Sequence, residues 1–343
     1  MQILVRCKLT HYPEVALLDT DATVLALAPE WEALWRRVPG ASPFASPAWL
    51  LPWWRHFGTG APRMAIRRAN GRLSGVLPLY RLDEPGIRKL LPIGAGTTDH
   101  LDALLEPGVA VGPLLQAALD HARMDGVDVC DLIEVPPGST LLGVAPTGWH
   151  MHWAEGQPCP VLTLPATVDG LTEVVPANTL RKLRMNRNRA ARAGGFTIET
   201  AGPATLPALL SELIRLHQAR WTLQGEPGSL AGPAVLGFHH EAAPALLQVG
   251  ALRLQALRIA GEVAAVCYTL LAGPDRILFY LSGFDAEHSF ISPGTLLLAA
   301  MIEQAIMEGR REANFLRGGE AYKYAWGGVD RLNMSCRLMP VSD

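Results

Sequence analysis

The chain repeats itself, and the repeat limits its fold more than any other feature of the sequence. The run RMAIRRANGRLSGVLPLY, Arg63 to Tyr80, places two β-rich segments around Asn70-Gly71, a dipeptide suited to a two-residue hairpin turn. The run ALRLQALRIAGEVAAVCYTLL, Ala251 to Leu271, does the same around Ala260-Gly261, with Gly75 and Ala265 at equivalent offsets from the turn glycines. After the first hairpin the pattern predicts a strand near Arg88 to Gly94, a helix from about Gly112 to Asp125 closed by Gly126, and the strand VDVCDLIE. After the second it predicts the strand ILFYLSG, a helix from about Gly294 to Glu308 closed by Gly309, and the strand EANFLRG. Two tandem copies of one mixed α/β (α+β) unit account for this order, and units this long exclude a short-period solenoid. A chain of 343 residues that is 49% hydrophobic sustains two cores. The boundary falls in the proline-bearing stretch Gln157 to Pro165, giving an N-terminal domain over 1–157 and a C-terminal domain over 158–343.

With 18% charged residues and a formal net charge of −2, the chain has no global field to collect DNA or an anionic membrane, so any basic site is local. Met1 to Leu18 reads as a strand plus loop without the apolar centre of a signal peptide, and no later run reaches bilayer length. A soluble, cytoplasmic protein with no membrane span is expected. Cys7, Cys130, Cys159, Cys267 and Cys336 are scattered and odd in number, which fits packing in a reducing compartment rather than disulfides or catalysis. His239 and His240 are adjacent and cannot put both rings on one helical face, so no metal is expected.

Two motifs carry chemistry. In FYLSGFDAEHSFISPGTLLLAAMIEQAIMEG, Phe279 to Gly309, a strand and a polar loop lead to Ser292-Pro293-Gly294 at the start of an apolar helix. Ser292 is read as the N-cap, Pro293 as the first helical residue and Gly294 as a point of close ligand approach. Such a helix start suits an anion, a pyrophosphate above all, although a plain capped helix has the same spelling. In FLRGGEAYKYAWG, Phe315 to Gly327, a strand ends in glycines and releases Glu320, Tyr322, Lys323 and Tyr324 onto a helical turn. Groups at a strand's C-terminal end often face a cleft; Glu320 and Lys323 at i, i+3 also suit a surface ion pair.

NTLRKLRMNRNRAARAGG, Asn178 to Gly195, is a helix on which Leu180, Leu183 and Ala190 define a buried stripe. Arg181, Lys182, Arg184, Arg189 and Arg192 point away from that stripe, whereas Arg187 falls inside it and is expected to be paired internally or used. The outward face is either solvated or a polyanion site. His217, Arg220 and Trp221 share an amphipathic helix, with His217 and Arg220 three apart on one face. Trp49, Trp53, Trp54 and Phe57 are read as core. Gly94 to Pro107 reads as a polar loop carrying Asp99 and His100.

Both motifs, together with LHQARW (Leu216 to Trp221) and SPFASPAWLLPWW (Ser42 to Trp54), resemble the CelD/BcsL group of the GNAT acetyltransferase superfamily, from Trp31 to about Met339. Two GNAT-like units in one chain are also similar in plan to the FemABX peptidyltransferases, whose C-terminal unit holds the acyl donor. The resemblance implies two tandem GNAT-like domains, each a mixed, mostly antiparallel sheet flanked by helices. It implies a bacterial acyltransferase in which Leu281, Ser282 and Gly283 meet the pantetheine of acetyl-CoA or another acyl-CoA. Ser292, Gly294 and Thr295 would then receive its pyrophosphate. The loop departs from the Q/R-x-x-G-x-G/A signature of GNAT enzymes, and an aminoacyl-tRNA donor stays open as the alternative.

For a thioester donor, an amine attacks the acyl carbon while a base takes its proton. Glu320 is the first choice of base, Tyr322 or Tyr324 would protonate the leaving thiolate, and Asp285 and His288 are in reserve. His217, Arg220, Trp221, Asp285, His288, Lys323 and Asp99 are the expected acceptor contacts. The first half lacks a comparable glycine-opened helix after a short loop and is read as non-catalytic and acceptor-binding. The acceptor implied is an amino sugar, a polysaccharide precursor or a related amine in envelope or exopolysaccharide synthesis. A tRNA-dependent ligase using the Arg181 to Arg192 face, and a non-catalytic scaffold of a glycan-synthesis complex, are the alternatives.

Overall fold

A computed structural model describes residues 12–341 apart from Gln224 and Pro227, so the reading of residues 1–11, with Cys7, lies outside the described residues. The chain divides into two compact units, one of residues 1–157 with 332–343 and one of residues 158–331. This corrects the C-terminal boundary. Residues from 332 on belong with the first unit, because their strand finds its ladder partner there.

The first unit contains β1 (Val15–Leu18), α1 (Asp21–Ala26), α2 (Ala28–Arg37), α3 (Pro47–Phe57), β2 (Ala61–Pro62), β3 (Met64–Ala69) and β4 (Arg72–Leu77). It continues with β5 (Leu79–Glu84), β6 (Ile87–Pro92), β7 (Leu104–Leu105), α4 (Gly112–Met124), β8 (Val129–Val135) and the start of β9 (Trp149–Thr163). The second unit receives the end of β9 and adds α5 (Leu171–Val174), α6 (Ala177–Arg192), β10 (Thr197–Thr200), α7 (Leu206–Leu223), α8 (Pro233–Gln248), β11 (Leu252–Ile259) and β12 (Glu262–Ala272). It ends with β13 (Arg276–Phe284), α9 (Pro293–Met307), β14 (Glu312–Asn314) and α10 (Ala321–Ala325), and β15 (Val329–Pro340) carries the chain back.

In the first unit β1, β3, β4 and β7 form one sheet in that order, and β15-β8-β6-β5-β2 follow one another in a second. There β15 runs antiparallel to β8, with Met334 opposite Val135 and Leu338 opposite Cys130. In the second unit the order is β10-β11-β12-β13-β14-β9, antiparallel except for β13 and β14. Both units join parallel strands through a helix, β6-α4-β8 and β13-α9-β14.

The repeat extends to atomic detail. Asn70 and Gly71 have φ of 51° and 76°, and Ala260 and Gly261 have 51° and 90°, the positive pair that a tight hairpin turn demands. Both hairpins slip register at the same offset, after Arg67 paired with Gly75 and after Leu257 paired with Ala265. In each, the arginine two residues before the turn donates to the turn carbonyl, Arg68 Nη1 to Gly71 O at 3.3 Å and Arg258 Nη1 to Gly261 O at 2.9 Å. Each arginine also holds a carboxylate, Glu30 for Arg68 and Glu199 for Arg258.

Each unit has its own core. In the first, Leu114, Leu115, Leu119 and Ala122 of α4 pack on Leu79, Leu90, Cys130 and Leu132. Trp49 and Trp53 are buried, and the Trp49 indole donates to Thr98 Oγ1 at 2.9 Å. In the second, Leu296, Leu297, Met301 and Ile302 of α9 meet Leu257, Ala265, Ile277 and Phe279. Cys130, Cys159, Cys267 and Cys336 are all buried. No helix among the described residues is long and apolar enough to cross a membrane.

The space between β6 and β8 in the first unit is filled. Residues 93–102 pack there, Leu101 N–H donating to Glu134 O of β8 at 2.9 Å, bury Thr98 and Leu101, and leave a hollow of only about 10 Å³ beside Asp102. Burial lifts the Asp102 carboxyl from its ordinary 3.8 to about 6, against hydrogen bonds from Ser139 Oγ at 2.6 Å and the Ala103 N–H at 2.8 Å. The folded state thus favours the neutral acid, and its advantage declines as pH climbs from 3.8 to about 6. Asp102→Asn should therefore melt at a temperature near wild type at pH 4 and above it at pH 7, by roughly 2–3 kcal/mol of stability. A gap that does not widen with pH in thermal melts would contradict this.

Candidate functional site

The second unit holds a cavity of about 410 Å³, within the usual range for small-molecule sites. Its walls follow from the way β13 and β14 separate. They pair only at Arg276–Leu278 with Glu312–Asn314, after which β13 runs on to Phe284. The chain after β14 instead follows β9, with Phe315 N–H donating to Pro160 O at 2.9 Å and Gly318 N–H to Pro158 O at 3.0 Å. Leu316 turns there with φ of 58°, its N–H held by Asn314 Oδ1 at 2.8 Å. A buried leucine at positive φ is costly and persists only where its surroundings impose it.

Lys323 imposes it. The side chain is 2% exposed, and its ammonium donates to the carbonyls of Leu316 at 3.1 Å, Arg317 at 2.6 Å and Gly318 at 3.1 Å. Glu320 pairs with the same ammonium at 2.9 Å, with a side chain 56% exposed. Lys323, expected among the acceptor contacts, is thus a strut beneath the parted strands. Glu320, expected as the base, caps that strut from outside and does not line the cavity.

β13 forms one wall. A bulge at Tyr280, between the pairs Tyr268–Leu281 and Thr269–Phe279, turns this part of the strand. Leu281, Ser282 and Gly283 line the cavity as expected, and Ser292, Gly294 and Thr295 line it from the start of α9. The structure brings all six expected donor contacts together. Ser292 corrects one detail, because it lies at φ 53° and ψ 65° and its side chain caps no helical N–H. Its Oγ is 3.5 Å from Ser289 O, too far for a sound hydrogen bond. Thr295 and Leu296 instead donate back to the Ser292 carbonyl at 3.0 and 3.1 Å.

Two glycines matter by their closeness to neighbours. A Cβ on Gly283 would lie 2.8 Å from the backbone nitrogen of His217, so only glycine lets α7 rest on β13 here. A Cβ on Gly294 would meet the Phe284 ring at 3.3 Å. α4 also begins at a glycine, Gly112, but not after a short loop. What distinguishes the halves is the segment 93–111 against the short loop 285–292.

The other expected residues separate into those at the cavity and those away from it. Arg220 lines it, its guanidinium carbon 5.1 Å from the Phe284 ring centre and 5.9 Å from that of Trp221. Tyr322 lines it as well, edge-on to Phe315 at 6.3 Å, its phenol pKa pushed up by desolvation and then by the Glu320 charge. Tyr324 does not, because its hydroxyl donates to Asp330 Oδ1 at 2.9 Å, which also makes it a weaker acid.

His217 is buried behind β13 rather than in the cavity. Its Nδ1–H donates to Ser282 O at 3.2 Å, which leaves Nε2 to accept from the Ser229 hydroxyl at 3.1 Å. Burial lowers its pKa, so the ring is neutral and positions β13. Trp221 stacks obliquely on that ring at 6.0 Å without lining the cavity. Asp285 accepts from the Glu287 N–H at 2.9 Å and faces His288 at 3.5 Å, both within the loop rather than on the cavity wall. Asp99 is buried in the first unit, where its carbonyl accepts from Asn333 Nδ2 at 2.7 Å.

Cys267, Tyr280, Ser289, Phe279 and Trp326 also line the cavity and escaped the sequence reading. Alternation along β12, which puts Ala265 and Cys267 on one face, was the available signal. Burial pushes the Cys267 thiol up to about 12, so it is a wall and not a nucleophile. No carboxylate lines the cavity, and no cluster of three or more metal-ligating side chains occurs among the described residues. On α6, Leu183, Asn186 and Ala190 are buried, and Arg187, the inward arginine, pairs with Glu303 at 2.6 Å.

A family model described as an acetyltransferase (GNAT) domain matches residues 177–324. No curated protein matches the chain in sequence. Among solved structures, FemX superposes with a TM-score of 0.64 at 13% identity, covering 90% of this chain and 95% of its own. A conserved protein of unknown function from Bacteroides thetaiotaomicron gives 0.61 at 11% identity, covering 94% and 99%. The C-terminal domain of a putative lysylphosphatidylglycerol synthetase from Agrobacterium fabrum gives 0.57 at 12% identity, covering 91% of each chain. At such identities the likeness is one of fold. The parted strands and the start of α9 lie within the residues that match the acetyltransferase model.

The strut can be tested directly. Lys323→Met keeps the length of the side chain but leaves three buried carbonyls without a donor, and should lower stability by about 3 kcal/mol in urea unfolding. Glu320→Gln, altering a mostly exposed partner, should cost less than about 1 kcal/mol.

Proposed function

We propose that the second unit is an acyl-CoA-dependent N-acyltransferase. The carrying observation is the cavity itself, open between the edge of β13 that β14 leaves uncovered beyond Leu278 and the first turn of α9. Beyond Leu278 the β13 main chain is available to an amide-bearing arm, as pantetheine is. Ser292, Gly294 and Thr295 surround a helix start that favours a diphosphate. The bare Cα of Gly294 leaves room for the Phe284 ring beside that helix start. These residues fit the donor, which when bound supplies an activated thioester.

Tyr322 is the acid of this site. It is the expected phenol that reaches the cavity. As the amine nitrogen bonds to the acyl carbon and the C–S bond breaks, Tyr322 gives its proton to the sulfur and regains one from solvent. With no carboxylate on the wall, the proton lost by the amine passes to water. Glu320 acts on this step only through its charge. His217 and Gly283 hold the strand against α7. The acceptor class we propose is an amino sugar or polysaccharide-precursor amine, supported by the CelD/BcsL resemblance of the motifs.

A second reading, transfer from aminoacyl-tRNA, is favoured by one observation. Lys182, Arg184 and Arg192 face outward from α6 with no acidic partner among the described residues, and Arg189 joins them while its guanidinium donates to Phe290 O at 3.1 Å. Such a stripe suits a phosphate backbone.

Isothermal titration with acetyl-CoA should give binding to wild type and at least about 50-fold weaker binding to Gly294→Glu, which sets a carboxylate against the diphosphate. Tyr322→Phe should bind normally and turn over about 10- to 100-fold more slowly with an amino-sugar acceptor. A folded wild type that ignores acetyl-CoA but binds charged tRNA with a steep salt dependence would replace the first reading with the second.

A further inference from the structure

The loop that closes the cavity is short of positive charge. Residues 285–292 read DAEHSFIS, with two carboxylates and no lysine or arginine. Asp285 is engaged within the loop by the Glu287 N–H and His288. A diphosphate here would meet the main chain and hydroxyls of Ser289, Ser292 and Thr295 but no cation from the loop itself.

One cation reaches the cavity from elsewhere. Among the described residues Arg220, near the C-terminal end of α7, is the sole lysine or arginine on the cavity wall. It is half-buried, and its contacts are two aromatic faces, Phe284 at 5.1 Å and Trp221 at 5.9 Å. No carboxylate of the described residues pairs with it. Stacking fixes the plane of a guanidinium while leaving its five N–H donors free for an anion. Phe284 also touches the Gly294 position, at 3.3 Å from a Cβ built there. A single aromatic ring therefore carries the guanidinium and adjoins the first turn of α9.

We propose that Arg220 clamps the diphosphate of the acyl donor, supplying from α7 the charge that the loop lacks, with Phe284 as its platform. This rests on the acyl-CoA reading above and reassigns Arg220 from the acceptor to the donor. The role is one of binding specificity: the arginine distinguishes a nucleotide-bearing thioester from the same thioester without phosphates.

The test compares two probes, acetyl-CoA and S-acetylpantetheine, by titration against wild type, Arg220→Gln and Arg220→Lys, each checked for its thermal melt. Arg220→Gln should weaken acetyl-CoA about 10- to 100-fold, the loss expected of charged hydrogen bonds, and change S-acetylpantetheine less than about twofold. Arg220→Lys should recover part of the acetyl-CoA affinity, because it keeps the charge and loses the fork. Equal weakening of both probes, or unchanged acetyl-CoA binding, overturns the clamp while the donor reading stands. A wild type that binds neither probe overturns the donor reading and the clamp with it. If Arg220→Gln melts early, Arg220→Lys still decides: affinity for acetyl-CoA unchanged alongside weakened S-acetylpantetheine is incompatible with a phosphate contact.

Discussion

The ammonium of Lys323 gathers three consecutive carbonyls, and the architecture of the second unit depends on that contact. A buried ammonium is tolerated only when acceptors surround it, and here the acceptors belong to a turn that would otherwise continue as a strand beside β13. Because the turn is drawn to Lys323 and to the β9 carbonyls, β14 ends after Asn314 and β13 continues paired with β12 alone. The gap between two strands that should have paired becomes the cavity. α9 supplies the opposite wall because its apolar surface is spent on the sheet, which fixes where its first turn emerges.

The same plan occurs twice with opposite results. In the first unit, residues 93–102 occupy the space beside the end of β8, with Ile93, Leu101 and Asp102 around the small hollow that is left. In the second, residues 285–292 are too few and too polar to do so. A hydrogen-bonded frame of hairpin, strand, helix and strand tolerates either solution, since its stability resides in the ladders and the helix–sheet contacts. The connection alone separates a solid half from a hollow one.

Much of this was legible in the sequence, for local reasons. Both hairpins announce themselves through turn residues, and α4 and α9 through apolar runs ended by glycine; the resemblance of the strand, short loop and helix start singled out six residues that line the cavity. What was not legible depends on distant partners. Lys323 looks like a surface residue because nothing local shows that three carbonyls will converge on it. Tyr322 and Tyr324 are nearly indistinguishable in sequence, and only Asp330 decides which is engaged elsewhere. Ser292 satisfies every rule for a cap yet takes a left-handed conformation, because the turn Ser289–Ile291 delivers the chain to α9 from another direction. The strand at 332–340 carries no mark of which sheet it joins.

That last strand has a consequence for how the molecule is made. Since β15 completes the sheet at β8, the second unit is, in chain order, an insertion within the first. During synthesis, residues 158–331 leave the ribosome with everything their own core requires, whereas the first unit waits with the edge of β8 uncovered until the final strand emerges. The order of the chain thus lets the hollow half close on itself before the strand that covers β8 has been made.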